Sequence, residues 1–409
     1  PTTDLVTGPD FIFFWVARMI MAGYQWKGDL PFRNVYFTGI IRDKKGRKMS
    51  KSLGNSPDPL ELIAKYGADA LRFGTMRSAP LGQDVLFDEK DVELGRNFCN
   101  KLWNACRFRQ MQGGETEGEI RPELLTSDDR WILLRLGQAI NEVTAAFEAY
   151  RFTDATATLY RFFWSEYCDW YIESCKATFF GEDADRKANV LAVVDFVMGN
   201  TLRLFHPFLP FITEELWHGL GFSSDMPEEQ GGRTIMTARW PKAFDTDFCE
   251  LYGLDDTVDR LVGAKHELVT QGRNLRAAYN IPFNKKIDYR FQPAGELDEY
   301  EVEVIRILLN AESVALGSDV PKGTPRIGSP MGDLFLPLEG LIDFDAERER
   351  LAKDLKKIEK EIEKAEAKLN NPKFAERAPA EVLEEQRERL TEWQAKRDQI
   401  NEALGNLSA

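Results

Sequence analysis

Lys48 and Lys51, three positions apart, lie in the run Lys48-Met49-Ser50-Lys51-Ser52, with Gly46 and Gly54 on either side. These residue types suit a chain of phosphates. Glycine lets the backbone come close to a ligand. A lysine ammonium is a compact point charge matched to phosphate oxygens, and serine hydroxyls and backbone N–H groups add donors. When a carboxylate attacks the α-phosphate of a nucleoside triphosphate, charge builds on the departing pyrophosphate. Lysines held at that group stabilise the transition state more than the ground state. A flexible loop of this kind can close after the nucleotide binds. The same five residues also fit a solvated basic turn, since short basic runs are common, and composition alone leaves both readings open.

The rest of the composition narrows the setting. The chain has 409 residues, 43% of them hydrophobic and 29% charged, with a net charge of -14. That length allows two to four domains. The acidity argues against coating nucleic acid with the whole surface and leaves room for a local basic face. Five cysteines (Cys99, Cys106, Cys168, Cys175, Cys249) include no CxxC pair. An odd, unspaced set argues against a disulfide framework or a zinc site, and reduced thiols fit a cytoplasmic protein. Three histidines, His206, His218 and His266, make a histidine metal site or triad unlikely ground for chemistry. No run of about 20 apolar residues suggests a membrane span, and no signal peptide is visible. The opening Pro1-Thr2-Thr3, without Met, reads as a cut inside a longer protein.

The elements that must carry the lysine loop follow from the pattern around it. Residues 10–21 (DFIFFWVARMIM) form an apolar helix candidate, and residues 35–41, rich in β-branched and aromatic types, a strand candidate. Residues 43–46 make a turn. After the loop, Asp58 reads as a helix cap, Pro59 as the first helical residue, Glu61 as the partner in a capping box and Gly67 as the stop. An acidic linker over residues 112–126 precedes a purely helical pattern. Apolar residues recur at steps of three and four from Ile132 to Tyr150, from Phe152 to Trp170 and from Val190 to Phe205, which predicts a helical bundle. Pro207 and Pro210 end the third helix. Residues 281–340 read as a small α/β unit with strands near 287–291 and 334–336. In the last segment Leu351, Leu355, Ile358, Ile362, Ala365 and Leu369 keep a heptad, Asn370-Asn371-Pro372 breaks it, and Leu383, Gln386, Leu390, Trp393, Arg397, Ile400, Leu404 and Leu407 resume it. Two similar arms around a breaker predict an antiparallel coiled-coil hairpin, projecting roughly 35–40 Å at about 25 residues per arm.

The lysine run resembles the KMSKS signature of class I aminoacyl-tRNA synthetases at all five positions, and the neighbours agree. GRKMSKSLGN (46–55) with DPLELIAKYGADALRF (58–73), RNFCNKLWNACRF (96–108) and HPFLPFITEELW (206–217) resemble the valine, isoleucine and leucine branch. TGPDFIFFWVARMIM (7–21) and the terminal hairpin are similar to the valine enzymes. The isoleucine enzymes often end in a cysteine zinc module, and no cysteine follows Cys249.

The resemblance implies a multidomain, mainly α protein. It would comprise the C-terminal part of a Rossmann-type catalytic domain (1–111), a helical anticodon-binding domain (127–280), a small α/β junction (281–340) and a coiled-coil tRNA-binding arm (341–409). Lys51 would be the main lysine on the ATP phosphates, helped by Lys48, with Met49, Ser50 and Ser52 shaping the loop. Gly39 would lie near the adenylate ribose; Thr38 stands before it, where bacterial valine enzymes often carry histidine. Asp10, Phe11 and Trp15 would line the valine pocket, the alternatives being helix capping for Asp10 and ordinary core packing for the aromatics. Arg203, Arg260, Lys265, Arg273, Arg276, Lys285 and Lys286, with Lys356 and Lys360 on the arm, would meet tRNA phosphates. Trp164, Tyr167, Trp170 and Tyr171 either stack bases or belong to the core, the reading their helical spacing favours. ATP with magnesium, valine and tRNA(Val) are the implied ligands, and the protein is expected to be monomeric and cytoplasmic, without a membrane. The chain contains neither the second nucleotide signature, HIGH, nor an editing insertion, so by itself it is expected to bind tRNA without catalysis. Competing readings are an isoleucine- or leucine-type fragment, a non-enzymatic RNA-binding module and a coiled-coil adaptor.

Overall fold

The computed structural model describes residues 2–79, 82–113, 119–224, 226–317, 319–320, 324–341, 344–370 and 380–406. The side chains of some residues within these ranges, Lys51 among them, lie outside that description. The chain is 64% helical and divides into two compact units, Pro1–Asp259 and Arg260–Ala409.

The first unit opens with two parallel strand pairs. β1 (Asp4–Thr7) pairs with β2 (Asn34–Phe37), and helical residues cross between them: short tight turns at Pro9–Phe11, a wide π-type turn at Ile12–Val16, then α1 (Ala17–Lys27). β3 (Ile41–Arg42) pairs with β4 (Val85–Leu86) across α2 (Pro59–Tyr66) and α3 (Ala68–Arg77). Parallel pairing needs such crossovers, so the helical segments flanking the lysine loop follow from the strand order. The single strand expected over 35–41 is interrupted at Thr38-Gly39-Ile40. The reason is a close approach, because a Cβ at Gly39 would stand 1.8 Å from the Gln83 carbonyl oxygen. Asp58 caps α2 as expected, accepting from the Leu60 N–H at 2.8 Å. Glu61 does not complete a capping box; its exposed carboxylate makes no hydrogen bond among those described.

α4 (Glu89–Met111) leads to the bundle of α5 (Ser127–Glu148), α6 (Phe152–Tyr160), α7 (Ile172–Phe179), α8 (Ala184–Phe205), α9 (Pro210–Gly219) and α10 (Thr246–Tyr252). A wide turn, Arg161–Tyr171, makes α6 and α7 one continuous path. Phe73 of α3, Phe98 of α4 and Phe205 of α8 are fully buried against one another, with ring centroids of Phe98 at 4.7 Å from Phe73 and 5.1 Å from Phe205. α3 also repairs the break that Pro207 and Pro210 create. Asp69 accepts from the Phe211 and Ile212 N–H groups at 3.3 and 2.7 Å, capping α9, and Arg72 donates to the Pro207 and Phe208 carbonyls. Tyr167 and Tyr171 are core residues, as their spacing predicts. α8, expected from the period over Val190 to Phe205, is long and apolar enough to cross a membrane, a property the sequence reading did not note; most of it is buried inside the bundle.

The second unit contains α11 (Asp256–Ala278) from Arg260 onward, with β5 (Asp288–Pro293), α12 (Glu299–Leu308), β6 (Ser313–Leu316), β7 (Arg326–Ser329) and β8 (Gly332–Phe335). The sheet runs β6-β5-β8-β7, with β5 and β6 parallel across α12 and the other two pairs antiparallel. β5 alternates exposed and buried residues and turns Tyr289 and Phe291 into the core. Lys265 of α11, fully buried, donates to Glu301 of α12 at 2.7 Å. α13 (Phe344–Leu369) and α14 (Ala380–Asn406) pack side by side. The start of α13, at Leu351 and Ile358, meets the end of α14, at Trp393 and Ile400, so the two run antiparallel. Asn371 and Pro372 of the expected breaker, and Leu407 of the expected heptad, lie outside the described residues.

Two predictions follow from this packing. Arg109 of α4 holds Asp195 of α8 with two bonds of 2.6 Å, both side chains being under 5% exposed. Asp195→Ala strands a buried guanidinium and is expected to cost about 3–5 kcal/mol, whereas Arg109→Met with Asp195→Leu costs far less; urea midpoints distinguish the two. Gly39→Ala forces the Gln83 backbone away and is expected to cost roughly 1–3 kcal/mol, read from the same denaturation curves.

Candidate functional site

The lysine loop leaves the carboxyl end of β3 as a tight hairpin. The Asp43 N–H donates to the Arg47 carbonyl at 3.0 Å, the Gly46 N–H donates to the Asp43 carbonyl at 2.8 Å, and Lys48 bridges back to Arg42. Gly46 (φ 74°) and Gly54 (φ 61°) take the left-handed conformations at the two bends. Between them Lys51–Leu53 forms a short 3-10 turn. The Leu53 N–H donates to the Ser50 hydroxyl at 3.2 Å, and the Ser50 and Ser52 hydroxyls share a hydrogen bond of 3.1 Å.

Three carboxylates organise the charges. Asp43 accepts from the Lys45 and Arg47 N–H groups at 3.0 and 2.9 Å, from Arg47 Nε at 2.8 Å and from Asn55 Nδ2 at 3.0 Å. The Asn55 bond, then the backbone and guanidinium donors, hold its carboxyl well below the usual carboxylate range. Asp84 accepts from the Ile40 N–H at 3.0 Å and pairs with Arg42, whose bond lowers its pKa. Asp88 caps α4 through the Lys90 N–H and pairs with Lys44 at 2.9 Å, the Lys90 bond being the larger cause of its lowered pKa. Arg42, Lys44 and Arg47 therefore each have a carboxylate partner. Lys48 is exposed and makes no ion pair among the described residues.

The structure brings part of the expected site together. Gly39 lies one residue before Ile40, which shares Asp84 with Arg42. A Cβ at Gly8 would stand 3.1 Å from Ile40 Cδ1, so the start of the helical segment bearing Asp10 and Phe11 touches the Gly39-Ile40 turn. Asp10 does not cap that segment, because Pro9 occupies the first position after Gly8. Phe11 and Trp15 are not core residues in this chain. They are 43% and 60% exposed, and Phe13, Phe14 and Trp26 of the same segment are exposed as well.

The residues expected to meet RNA separate into two groups. Arg276 is 2% exposed and donates to the Leu309, Pro282 and Lys285 carbonyls, so it holds the fold and cannot reach a phosphate; the same correction applies to Lys265, buried against Glu301. Arg203 donates to the Gly199, Arg239 and Asn200 oxygens, and burial lowers its pKa. Arg273 donates twice to the Leu308 carbonyl. In contrast, Lys286, Lys356, Lys360 and Lys368 are exposed and free of ion pairs among the described residues, and Lys285 makes only a long bond to the Leu341 carbonyl. Sequence reasoning did not single out Asp43, Asp84 or Asn55 for the loop; Asp43 and Asn55 lie beside the basic run, whereas Asp84 is distant in the chain and had no local signal.

Comparison with known proteins agrees with this layout. The family described as "tRNA synthetases class I (I, L, M and V)" matches residues 1–88, "Anticodon-binding domain of tRNA ligase" matches 129–290, and "Valyl tRNA synthetase tRNA binding arm" matches 343–408. The whole chain is 42% identical to the valine–tRNA ligase of Chlorobaculum tepidum, 41% to that of Carboxydothermus hydrogenoformans and 38% to that of Bacillus subtilis. It spans 45%, 45% and 46% of these relatives' lengths. A solved chain from an Agrobacterium radiobacter K84 complex of LeuRS, tRNA and LeuAMS superposes over 59% of this chain and 29% of its own, at 22% identity and a TM-score of 0.45, too low to carry weight. Three successive family matches and end-to-end similarity establish that the chain belongs to the valine–tRNA ligase family of class I synthetases.

Proposed function

We propose that this chain is the part of a valine–tRNA ligase that presents the pyrophosphate-binding loop and grips tRNA(Val). In the whole enzyme the carboxylate of valine attacks the α-phosphorus of magnesium-bound ATP, giving valyl-adenylate and pyrophosphate. A terminal ribose hydroxyl of the tRNA then attacks the adenylate carbonyl and releases AMP. The observation that carries this reading is that Lys48, like Lys45, is exposed and without an ion pair among the described residues, while Arg42, Lys44 and Arg47 are each paired. A cation kept free of carboxylates is available to a developing anion, where it acts most strongly. Lys51, in the same turn, is the second phosphate lysine, with Met49, Ser50 and Ser52 shaping the loop. Gly39 approaches the ribose, and Asp10, Phe11 and Trp15 face the valine. The exposed aromatics of the helical segment Pro9–Lys27 meet the remaining part of the catalytic fold.

Residues 1–111 serve the catalytic domain, 127–280 the anticodon, 281–340 the junction and 341–409 the arm. Lys356, Lys360, Lys364 and Lys368 recur every fourth residue on α13, a spacing that keeps them on one face. Of these, Lys364 is tied to Glu361 at 2.5 Å. The others are free to meet tRNA phosphates.

Valine-dependent ATP–pyrophosphate exchange tests the reading. The whole enzyme is expected to exchange and the 409-residue chain alone to stay at background. Lys51→Ala in the whole enzyme should remove several kcal/mol of transition-state stabilisation, and a change in kcat/KM below about threefold would contradict its role. For the arm, Lys356→Glu with Lys360→Glu is expected to weaken tRNA binding and flatten its salt dependence by about two charges. A gel shift at two salt concentrations that finds no change would reject the arm contact.

A further inference from the structure

We propose that Asn55 is a positioning residue that, anchored on Asp43, latches the lysine loop and sets where Lys48 is presented to the phosphates. Its carboxamide bonds in three directions. Oδ1 accepts from the Ser50 N–H at 2.9 Å, while Nδ2 donates to Asp43 Oδ2 at 3.0 Å and to the Lys48 carbonyl at 3.3 Å. The residues on both sides of the Lys51–Leu53 turn are thereby tied to one another and to the hairpin leaving β3. An amide suits this place because it offers an acceptor and a donor pair at once, whereas a carboxylate offers acceptors alone. The left-handed Gly54 turns the chain so that Asn55 reaches back.

The anchor is itself immobile. Asp43 is held by the Lys45 and Arg47 N–H groups and by the Arg47 side chain, so the latch closes on a fixed point of the strand end. The turn carried by the latch has its own internal bond, from the Leu53 N–H to the Ser50 hydroxyl. It therefore moves as a unit with Ser50, and any slip at Asn55 passes to the lysine on each side. A lysine that must meet an oxygen only as charge develops gains from a preset position. This inference deepens the proposed function and rests on it for the catalytic consequence.

Three variants test it: Asn55→Ala, Asn55→Asp, and Asp43→Asn combined with Asn55→Asp. In this chain, hydrogen exchange at the Ser50 amide is expected to accelerate about tenfold or more in both single variants. The first loses the acceptor, and the second sets two carboxylates face to face. The double variant restores a donor opposite an acceptor and is expected to return protection toward the original rate, with amides of α5 unchanged throughout. In the whole enzyme the single variants should lower kcat of valine-dependent exchange about tenfold with the KM for valine within about twofold, and the double variant should recover much of it. Unchanged Ser50 exchange in Asn55→Ala overturns the latch, and lost protection with unchanged kcat overturns the positioning role. An unmodified whole enzyme without valine-dependent exchange overturns the proposed function and this catalytic consequence together, while Ser50 protection still decides the latch.

Discussion

Five cations in the seven positions from Arg42 to Lys48 repel one another, and carboxylates brought beside them offset that repulsion for three. Asp43, Asp84 and Asp88 do this, each taking a different cation and each also accepting a backbone N–H. Exposed ion pairs of this kind contribute little stability. What they supply is direction: the backbone donors fix each carboxylate, the carboxylates fix the side chains of Arg42, Lys44 and Arg47, and Lys45 and Lys48 are left without an ion pair among the described residues. The bonds that depress the three carboxyl pKa values also keep these groups ionised as pH falls toward the ordinary carboxylate range.

Stability comes from elsewhere and reaches the loop through α3. The Phe73–Phe98–Phe205 cluster removes three aromatic rings from water, and burial on that scale outweighs any surface pair. Asp69 and Arg72 on the same helix satisfy the backbone groups exposed by Pro207 and Pro210. α3 thus ties α4, α8 and the start of α9 together, while β2 meets the bundle directly where Tyr36 packs on Tyr150 and Phe152. At the other end, the close approach of Gln83 to Gly39 brings β3 and β4 together where the loop begins.

The same distinction between paired and unpaired cations bears on the proposed RNA contact. The net charge is negative, so such contact would fall to local faces where lysines lack ion-pair partners among the described residues. Lys356, Lys360 and Lys368 on α13 meet that condition. Lys353, Lys357 and Lys364 are bound to acidic neighbours on their own helix. Arg276 and Lys265 belong to the interior, where their charges are matched by carbonyl oxygens and by Glu301.

Local chemistry was legible in the residues themselves. The heptads of the hairpin, the helical periods of the bundle, the Asp58 cap, the stop at Gly67 and the five-residue lysine run all depend on neighbours within a few positions, and their physical signatures are periodicity, capping and charge. Which cation remains free, which arginine is buried and which aromatic stays exposed depended on partners distant in the chain: Asp84 for Arg42, the Pro282 and Leu309 carbonyls for Arg276, and the uncovered face around Phe11 and Trp15. The unbroken strand expected over 35–41 failed because a local preference is weaker than the tertiary contact that competes with it, here the approach of Gln83 to Gly39. The sequence determined the elements and the charges they carry; the tertiary structure decided which of those charges are spent on the fold, because that depends on which groups packing brings within bonding distance.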